Sequence, residues 1–331
     1  MHRRTFLQAG SGCLAHLLLQ AACAPRAQRA AWTRGPGAAG AIVAETPFAR
    51  LEAIGPGAWA VISTPLGGDR TTFANGGLIA GRTGVVAIEG FYRPAGAAWL
   101  AGLARQLTGR HPTHVVVTHY HIDHAAGIAG YAAPPGDAKH IRTPRVISSA
   151  RTQDAVLRGG PVAPPRDADL LRPWADVVVT DPRARLAIDL GDRLLHVHAR
   201  QGHTASDLVV EDPDARLLFT GDLVWNGMFP NYTDAQPLTL RESVRWLESR
   251  DARALVPGHG ARADAPAFDR YVALLDSLEH VARRAVADGV PVDEAARRYV
   301  VPEALGDWMA SPAGVRRAMA AWYRALGSST A

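Results

Sequence analysis

The segment "VVVTHYHIDHAAG", from Val115 to Gly127, constrains this chain more than any other. It places three histidines and an aspartate within six residues, directly after an apolar, β-branched run. Polar groups at the end of a buried strand are costly unless they find partners. The segment is therefore either a histidine-rich loop or a metal site, and the rest of the sequence decides between the two.

The spacing of these residues favours a metal site. His119 and His121 are two positions apart, so on an extended segment both rings lie on the same side. Asp123 and His124 follow at the start of a helix predicted over residues 123–130, where adjacent side chains project in different directions and can reach a second ion. Four donors cannot complete two metal ions, so this interpretation predicts further ligands downstream.

Three downstream residues are candidates for those ligands. His203 lies in "QGHTASD", Asp222 in "LLFTGDLVW" and His259 in "LVPGHGA". Each is predicted at the end of a strand or in a loop between strands, beside a glycine that lets the backbone approach a shared centre. Both cysteines, Cys13 and Cys23, lie near the N-terminus, so histidine and carboxylate side chains must hold any metal in the rest of the chain.

In this order, the motifs resemble those of the metallo-β-lactamase superfamily. They are His119-Tyr-His121-Ile-Asp123-His124, Gly202-His203, Gly221-Asp222 and Gly258-His259, and the resemblance covers about residues 75–260. It implies two zinc ions per chain. The first metal would be bound by His119, His121 and His203, the second by Asp123, His124 and His259, and both by Asp222, with a bridging hydroxide between them.

The resemblance also implies roles beyond the ligands. Asp123 and Asp222 would be the catalytic carboxylates. Glu89 occupies a position where the family usually has an aspartate that orients a ligand histidine. A loop rich in aromatic and amide groups follows Asp222, and its candidate substrate-lining residues are Trp225, Asn226, Phe229 and Tyr232, with simple loop packing as the alternative.

The resulting functional prediction is an exported dinuclear zinc hydrolase of an ester, thioester, lactone or related bond in a small molecule. The alternatives are β-lactamase-like activity and a mononuclear iron sulfur dioxygenase. Nucleic acid is not expected as a partner, because the net charge is only +5 and the basic residues are scattered among acids. Tyr120 is expected to pack away from the metals. His196 and His198 are expected to be structural, since no acidic cluster is seen to accompany them.

The order of predicted elements fits an α/β fold of four layers, an αββα sandwich with C-terminal helices. Strands, a helix and the histidine segment come first, followed by more strands, a helix and a last strand. A single metallo-hydrolase domain is predicted over residues 45–331, with a helical segment at about 265–326.

Residues 1–30 are expected to be an export signal and the start of a flexible lead-in. The adjacent Arg3 and Arg4, followed by a short apolar stretch, resemble a twin-arginine signal. "QAAC" partly resembles a lipoprotein cleavage box, so a lipid anchor at Cys23 is an open option. The expected location is periplasmic or exported, or membrane-anchored as a lipoprotein. No integral membrane span is expected, because no apolar run reaches ~20 residues. The oligomeric state is left open.

Overall fold

The computed structural model describes residues 40–132, 142–158, 177–179, 181 and 183–327. The predicted export signal and Cys23 lie outside these residues. The first strand begins at Ile42, just before the predicted domain boundary at residue 45. Within the described part of the chain, none of the helices combines the length and apolar character needed to cross a membrane.

The first sheet is mixed, and its eight strands lie in space in the same order as in the sequence. From β1 to β5 neighbouring strands are antiparallel, and from β5 to β8 they are parallel. The strands are β1 Ile42–Glu45, β2 Ala49–Gly55, β3 Ala58–Ser63, β4 Gly76–Ala80, β5 Val85–Ile88, β6 His114–Val116, β7 Arg145–Ser149 and β8 Val177–Val179.

The second sheet has five strands in the order β13-β12-β11-β10-β9. The β12–β13 pair is parallel, and the other pairs are antiparallel. The strands are β9 Arg185–Asp189, β10 Leu194–Arg200, β11 Asp207–Asp212, β12 Leu217–Asn226 and β13 Ala254–Gly260.

Helices cover the outer face of each sheet, which confirms the predicted αββα sandwich. Apolar residues of α1 pack on the first sheet, and those of α4, α5, α6 and α7 form the core outside the second. A third core cluster lies between the two sheets. The helices are α1 Pro94–Thr108, α2 Ile122–Ala125, α3 Ala150–Arg158, α4 Pro237–Glu248, α5 Ala265–Ala287, α6 Val292–Arg298 and α7 Pro312–Ala325.

The strands alternate between these cores as an extended chain must. On β3, Ala60 and Ile62 face the core between the sheets, whereas Trp59 and Val61 face α1's side. The continuous apolar run Val85–Ile88 is buried on both faces, as expected of a strand with neighbours in every direction.

Some predicted elements differ from the structure. The helix predicted over residues 123–130 is a single turn, α2, followed by a separate 3-10 turn at Ile128–Tyr131. The helix ends because the Gly127 N–H donates to the Phe91 carbonyl, 2.8 Å away, instead of continuing the helical pattern. Strands β1 and β2 and helix α3 were not predicted.

One buried side chain ties the end of β13 to the first sheet. The Asn75 amide donates to the carbonyl oxygens of Pro257 at 2.9 Å and Gly260 at 2.8 Å. Its Oδ1 accepts from the Ser63 N–H at 2.8 Å, and its own N–H donates to the Gly258 carbonyl at 2.8 Å. Asn75 therefore fixes the position of the strand that carries the last predicted ligand.

Replacing Asn75 with alanine should lower the free energy of unfolding by about 2–4 kcal/mol, because it leaves buried backbone groups without partners. Urea denaturation of the purified protein measures this loss. Asn231→Ala is the matched control, since Asn231 accepts from Thr233 in a surface turn. Equal losses in the two variants would contradict the role assigned to Asn75.

Candidate metal centre

The structure brings all seven predicted ligands together, from the segment after β6, the β10–β11 loop, β12 and the end of β13. They form two adjacent groups, and within each group one potential ligand atom per residue lies within 4.8 Å of the others. The first group is His119, His121, His203 and Asp222; the second is Asp123, His124 and His259. The histidine-rich segment is therefore part of a cluster and not an isolated loop.

Asp222 lies between the two groups and turns one carboxylate oxygen to each. Its Oδ2 is 3.2 Å from His203 Nε2 and 3.9 Å from His119 Nε2. Its Oδ1 is 3.2 Å from His124 Nε2 and 3.4 Å from His259 Nε2. This arrangement fits the bridging position that the resemblance implies.

The backbone around Asp222 explains how it reaches this position. It lies inside β12, where the register with β13 shifts on either side of Gly221. Gly221 has a φ of 50°, a left-handed conformation that glycine adopts without strain. A Cβ on Gly258 would lie 1.9 Å from Asp222 Oδ1, so only glycine lets β13 pass this close to the carboxylate.

The first group includes an orienting contact that the sequence analysis missed. His203 Nε2 lies 2.9 Å from His121 Nδ1, and the other nitrogen of His121 lies 3.0 Å from Asp234 Oδ2. The same oxygen accepts from the Tyr120 hydroxyl at 2.6 Å. Tyr120 packs against the core outside the first sheet, as predicted, and it also holds Asp234 in place.

A second missed carboxylate, Asp207, shapes the loop that carries His203. It accepts from the backbone N–H groups of His203 and Thr204, each at 3.1 Å, and from the Thr204 hydroxyl at 2.7 Å. Burial raises the pKa of Asp207 to about 7, although the Thr204 donors act against this shift. In the sequence, Asp207 could have been noticed as the aspartate that ends the "GHTASD" segment.

The second group is supported by an aromatic side chain. His259 Nε2 lies 3.2 Å from Asp123 Oδ2. The Trp225 ring stacks on His259 with centroids 4.1 Å apart, and its indole N–H donates to the Asp222 carbonyl at 3.0 Å. Trp225 is buried, so this placement favours a supporting role over direct lining of the substrate.

Glu89 occupies the orienting position that the resemblance assigns to it. Its Oε1 lies 3.1 Å from His124 Nδ1 and accepts from the Thr118 hydroxyl at 2.6 Å. That hydroxyl also lies 3.0 Å from His119 Nδ1. Glu89 has a φ of 80°, a strained conformation for a residue with a side chain. The extra methylene of glutamate therefore does not prevent it from reaching the ligand histidine.

The carboxylates of the cluster are ionised despite their burial. Burial opposes ionisation of Asp123, but His124 and His259 lower its pKa to about 2. Burial also opposes ionisation of Asp222, and the surrounding His259, His124 and His203 hold its pKa well below the usual value. Negative charge at this depth requires a compensating cation.

The donor atoms fit bound metal ions. His119 Nε2, His124 Nε2 and Asp222 Oδ1 are buried and make no hydrogen bond with any other described residue. Buried polar atoms without partners are rare, and here they converge on the two groups. Imidazole and carboxylate ligands suit zinc, although iron accepts them too.

The other three residues predicted to line the substrate pack elsewhere. The Asn226 amide donates to the Ala261 carbonyl at 3.0 Å. Phe229 packs against the core outside the second sheet, and Tyr232 is 1% exposed within that core. These placements favour loop packing, which was the alternative interpretation.

A different aromatic side chain borders the cluster. The Phe73 ring lies 6.0 Å from the His259 ring and 6.3 Å from the Tyr92 ring, and the Arg70 guanidinium lies 5.0 Å from its centroid. Phe73 is half-buried and has a φ of 60°. The sequence analysis missed it because it belongs to no ligand motif.

Two packed mixed sheets with a two-group histidine and aspartate cluster define a class of αββα proteins with a candidate dinuclear metal centre. Residues 72–259 match the model of the metallo-beta-lactamase superfamily. The chain belongs to this superfamily, which confirms the resemblance seen in the motifs.

Similar proteins carry several functional names. The chain is 27% identical to the 2,4-dinitroanisole O-demethylase subunit alpha of Nocardioides sp. (strain JS1661), over 65% of this chain and 61% of that one. It is 28% identical to the human acyl-coenzyme A thioesterase MBLAC2, over 47% and 59%. It is 27% identical to a hydroxyacylglutathione hydrolase of Methylobacterium sp. (strain 4-46), over 66% and 75%. The chain thus spans about three fifths of the length of the first two relatives.

Solved structures share the fold. The sec-alkylsulfatase Pisa1 from Pseudomonas sp. superposes with a TM-score of 0.65 at 17% identity, covering 85% of this chain and 50% of that one. A metallo-beta-lactamase from Pontibacter korlensis gives a TM-score of 0.53 at 19% identity, covering 69% and 99%.

Replacing Glu89 with glutamine should weaken metal binding by the second group about 10–100-fold, the usual effect of losing a carboxylate that orients a ligand histidine. Competition with a chromophoric chelator measures the affinity. Glu294→Gln is the control, because Glu294 pairs with Arg298 on the surface of α6. An unchanged affinity in Glu89→Gln would show that Glu89 only supports the fold.

Proposed function

We propose that the protein is a dinuclear zinc hydrolase that cleaves an ester, thioester, lactone or related bond in a small molecule. The observation that carries this proposal is the position of Asp222, with one oxygen turned to each of two histidine-containing groups. The second group, Asp123, His124 and His259, is complete. A mononuclear iron sulfur dioxygenase would need only three protein ligands, so the second group favours the dinuclear hydrolase.

The chain's own residues have distinct roles in this proposal. His119, His121 and His203 would hold the first metal, and the second group the other, with Asp222 shared. Two divalent ions would supply Lewis acidity and lower the pKa of water toward neutrality.

Asp123 is the more accessible of the two predicted catalytic carboxylates. Its side chain is 14% exposed, compared with 3% for Asp222. This exposure supports a role for Asp123 in orienting an incoming water or handing on its proton, while Asp222 holds the two groups together.

The residues of the site and the names of the relatives favour some candidate substrates over others. Asp222 argues against a true β-lactamase, because such enzymes generally lack an aspartate at this position. The names of two relatives, a thioesterase and a hydroxyacylglutathione hydrolase, support ester or thioester cleavage. Phe73 offers an apolar surface beside His259 for the acyl part of such a substrate.

Metal analysis of ligand variants tests the dinuclear proposal. Relative to the wild type, His119→Ala and His259→Ala should each lose about one equivalent of zinc, because each removes a ligand of a different group. Elemental analysis after dialysis against a zinc buffer gives the counts. A single iron that is lost in His119→Ala and kept in His259→Ala would instead support the dioxygenase.

Measuring the turnover of variants tests whether the shared carboxylate is needed for catalysis. The wild type is screened against β-lactams, lactones, thioesters, and phosphate and sulfate esters. For the substrate found, Asp222→Asn should lower kcat/KM by more than about 100-fold, beyond the effect of losing a residue that merely orients a ligand. Asp264→Asn, the same substitution at the N-terminal cap of α5, where the asparagine oxygen can still accept the capping hydrogen bond, is the control. Full activity in Asp222→Asn would overturn the shared-ligand role.

We propose further that the protein is exported by the twin-arginine route. Arg3 and Arg4 and the apolar stretch after them support this proposal. Conservative replacement of both residues, Arg3→Lys with Arg4→Lys, should leave the protein in the cytoplasm of a producing bacterium, as fractionation would show. Unchanged export would contradict the proposed route, and loss of Cys23 alone tests lipid anchoring separately.

A further inference from the structure

A third group of metal-ligating side chains lies on the outer face of the second sheet. His196 and His198 alternate on β10 with Val197 and Ala199, which face the core between the sheets. His196 is directly opposite Glu211 on β11 in the antiparallel register. The sequence analysis expected no acidic cluster beside these histidines, and cross-strand pairing supplies a single carboxylate, Glu211.

The three side chains have the spacing of a metal site. His198 Nε2 lies 2.7 Å from Glu211 Oε2, and His196 Nδ1 lies 3.7 Å from the same oxygen. One potential ligand atom from each residue lies within 4.8 Å of the others. The ligand atoms of the two groups at the main site are equally close to one another. The side chains of His196, His198 and Glu211 are 16%, 8% and 8% exposed, so the group is sheltered yet reachable through His196.

Neighbouring side chains fix the orientation of this group. The Arg250 guanidinium donates to Glu211 Oε1 through Nε at 3.1 Å and Nη2 at 2.7 Å, and Nη2 also donates to Oε2 at 3.0 Å. The Trp246 ring packs on His198 with centroids 4.9 Å apart. Arginine therefore shares Oε2 with His198, which lies 2.7 Å from the same oxygen, and holds the carboxylate facing the histidines. A hydrogen-bonded carboxylate of this kind is typical of metal ligands.

The charge of Glu211 suits a cation. Burial opposes its ionisation, but His198 and Arg250 lower its pKa to about 2, so the carboxylate is charged at neutral pH. Because Arg250 already pairs with this charge, a structural ion-pair network without metal is the competing explanation.

We propose that His196, His198 and Glu211 bind a third divalent cation, zinc, that is separate from the catalytic pair. Two imidazoles and one carboxylate, with water as the remaining ligand, form a donor set that zinc accepts readily. The ion would join β10 to β11 near the end of the hairpin opposite the loop that carries His203. Its effect would be to stabilise that hairpin, since an ion that binds only the folded state favours folding.

Zinc binding by single-site variants of the full chain tests this proposal. His196→Ala removes the most exposed ligand and should lose about one equivalent of zinc relative to the wild type. His198→Ala should lose the same equivalent, and His280→Ala, on the exposed face of α5, should lose none. Because each count is a difference from the wild type, the result does not depend on how many ions the catalytic groups hold.

Two further readouts separate a metal site from an ion-pair network. Turnover of any substrate found should stay within about twofold of the wild type in His196→Ala, within the range of a mutation remote from the chemistry. Zinc should raise the Tm of the wild type more than that of His196→Ala. Equal zinc counts and equal Tm shifts in the two proteins would overturn the proposal and leave a network of hydrogen bonds.

Discussion

The Asp222 carboxylate, buried between four imidazole rings, is the interaction on which the rest of the site depends. An isolated charge at this depth would destabilise the fold, so the carboxylate and the histidines require each other and the cations they are suited to hold. Because the partners come from both sheets, this requirement also dictates how the sheets meet. Asn75 also holds the two sheets together, because its side chain hydrogen-bonds the backbone at the end of β13 and so joins that strand to the first sheet.

Residues outside the two groups also hold the candidate ligand side chains in place. His124 contacts Glu89, His121 contacts Asp234, and the loop of His203 is closed by Asp207. Each contact fixes a ring or a loop that would otherwise rotate, so the donor atoms converge before any ion binds. Such preorganisation spares part of the ordering cost of binding.

The sequence predicted those features of the fold and the site that depend on short segments or on motifs. The seven candidate ligands could be found in short segments, three of them next to a glycine, and the αββα order follows from the succession of apolar runs. Asp234, Asp207 and Phe73 could not be found in this way, because their roles depend on residues that only the folded chain brings near.

The pairing of His196 with Glu211 shows the same limit most clearly. Alternation along β10 places the two histidines on one face, and the sequence shows this. Which residue lies opposite depends on the register with β11, and a shift of one position would have turned Glu211 to the other face of the sheet. Tertiary register, not composition, decides whether a histidine pair has an acidic neighbour.

The β10–β11 hairpin connects the pairing of His196 with Glu211 to the main cluster. The loop at its tip carries His203, and the Gln236 N–H before α4 donates to the Gly202 carbonyl in that loop at 2.8 Å. The face of the same hairpin that packs toward α4 carries His196 and His198. The pairing of these two strands therefore also helps to hold the loop of a proposed metal ligand. The hairpin therefore links the outer face of the second sheet to one side of the proposed catalytic cluster.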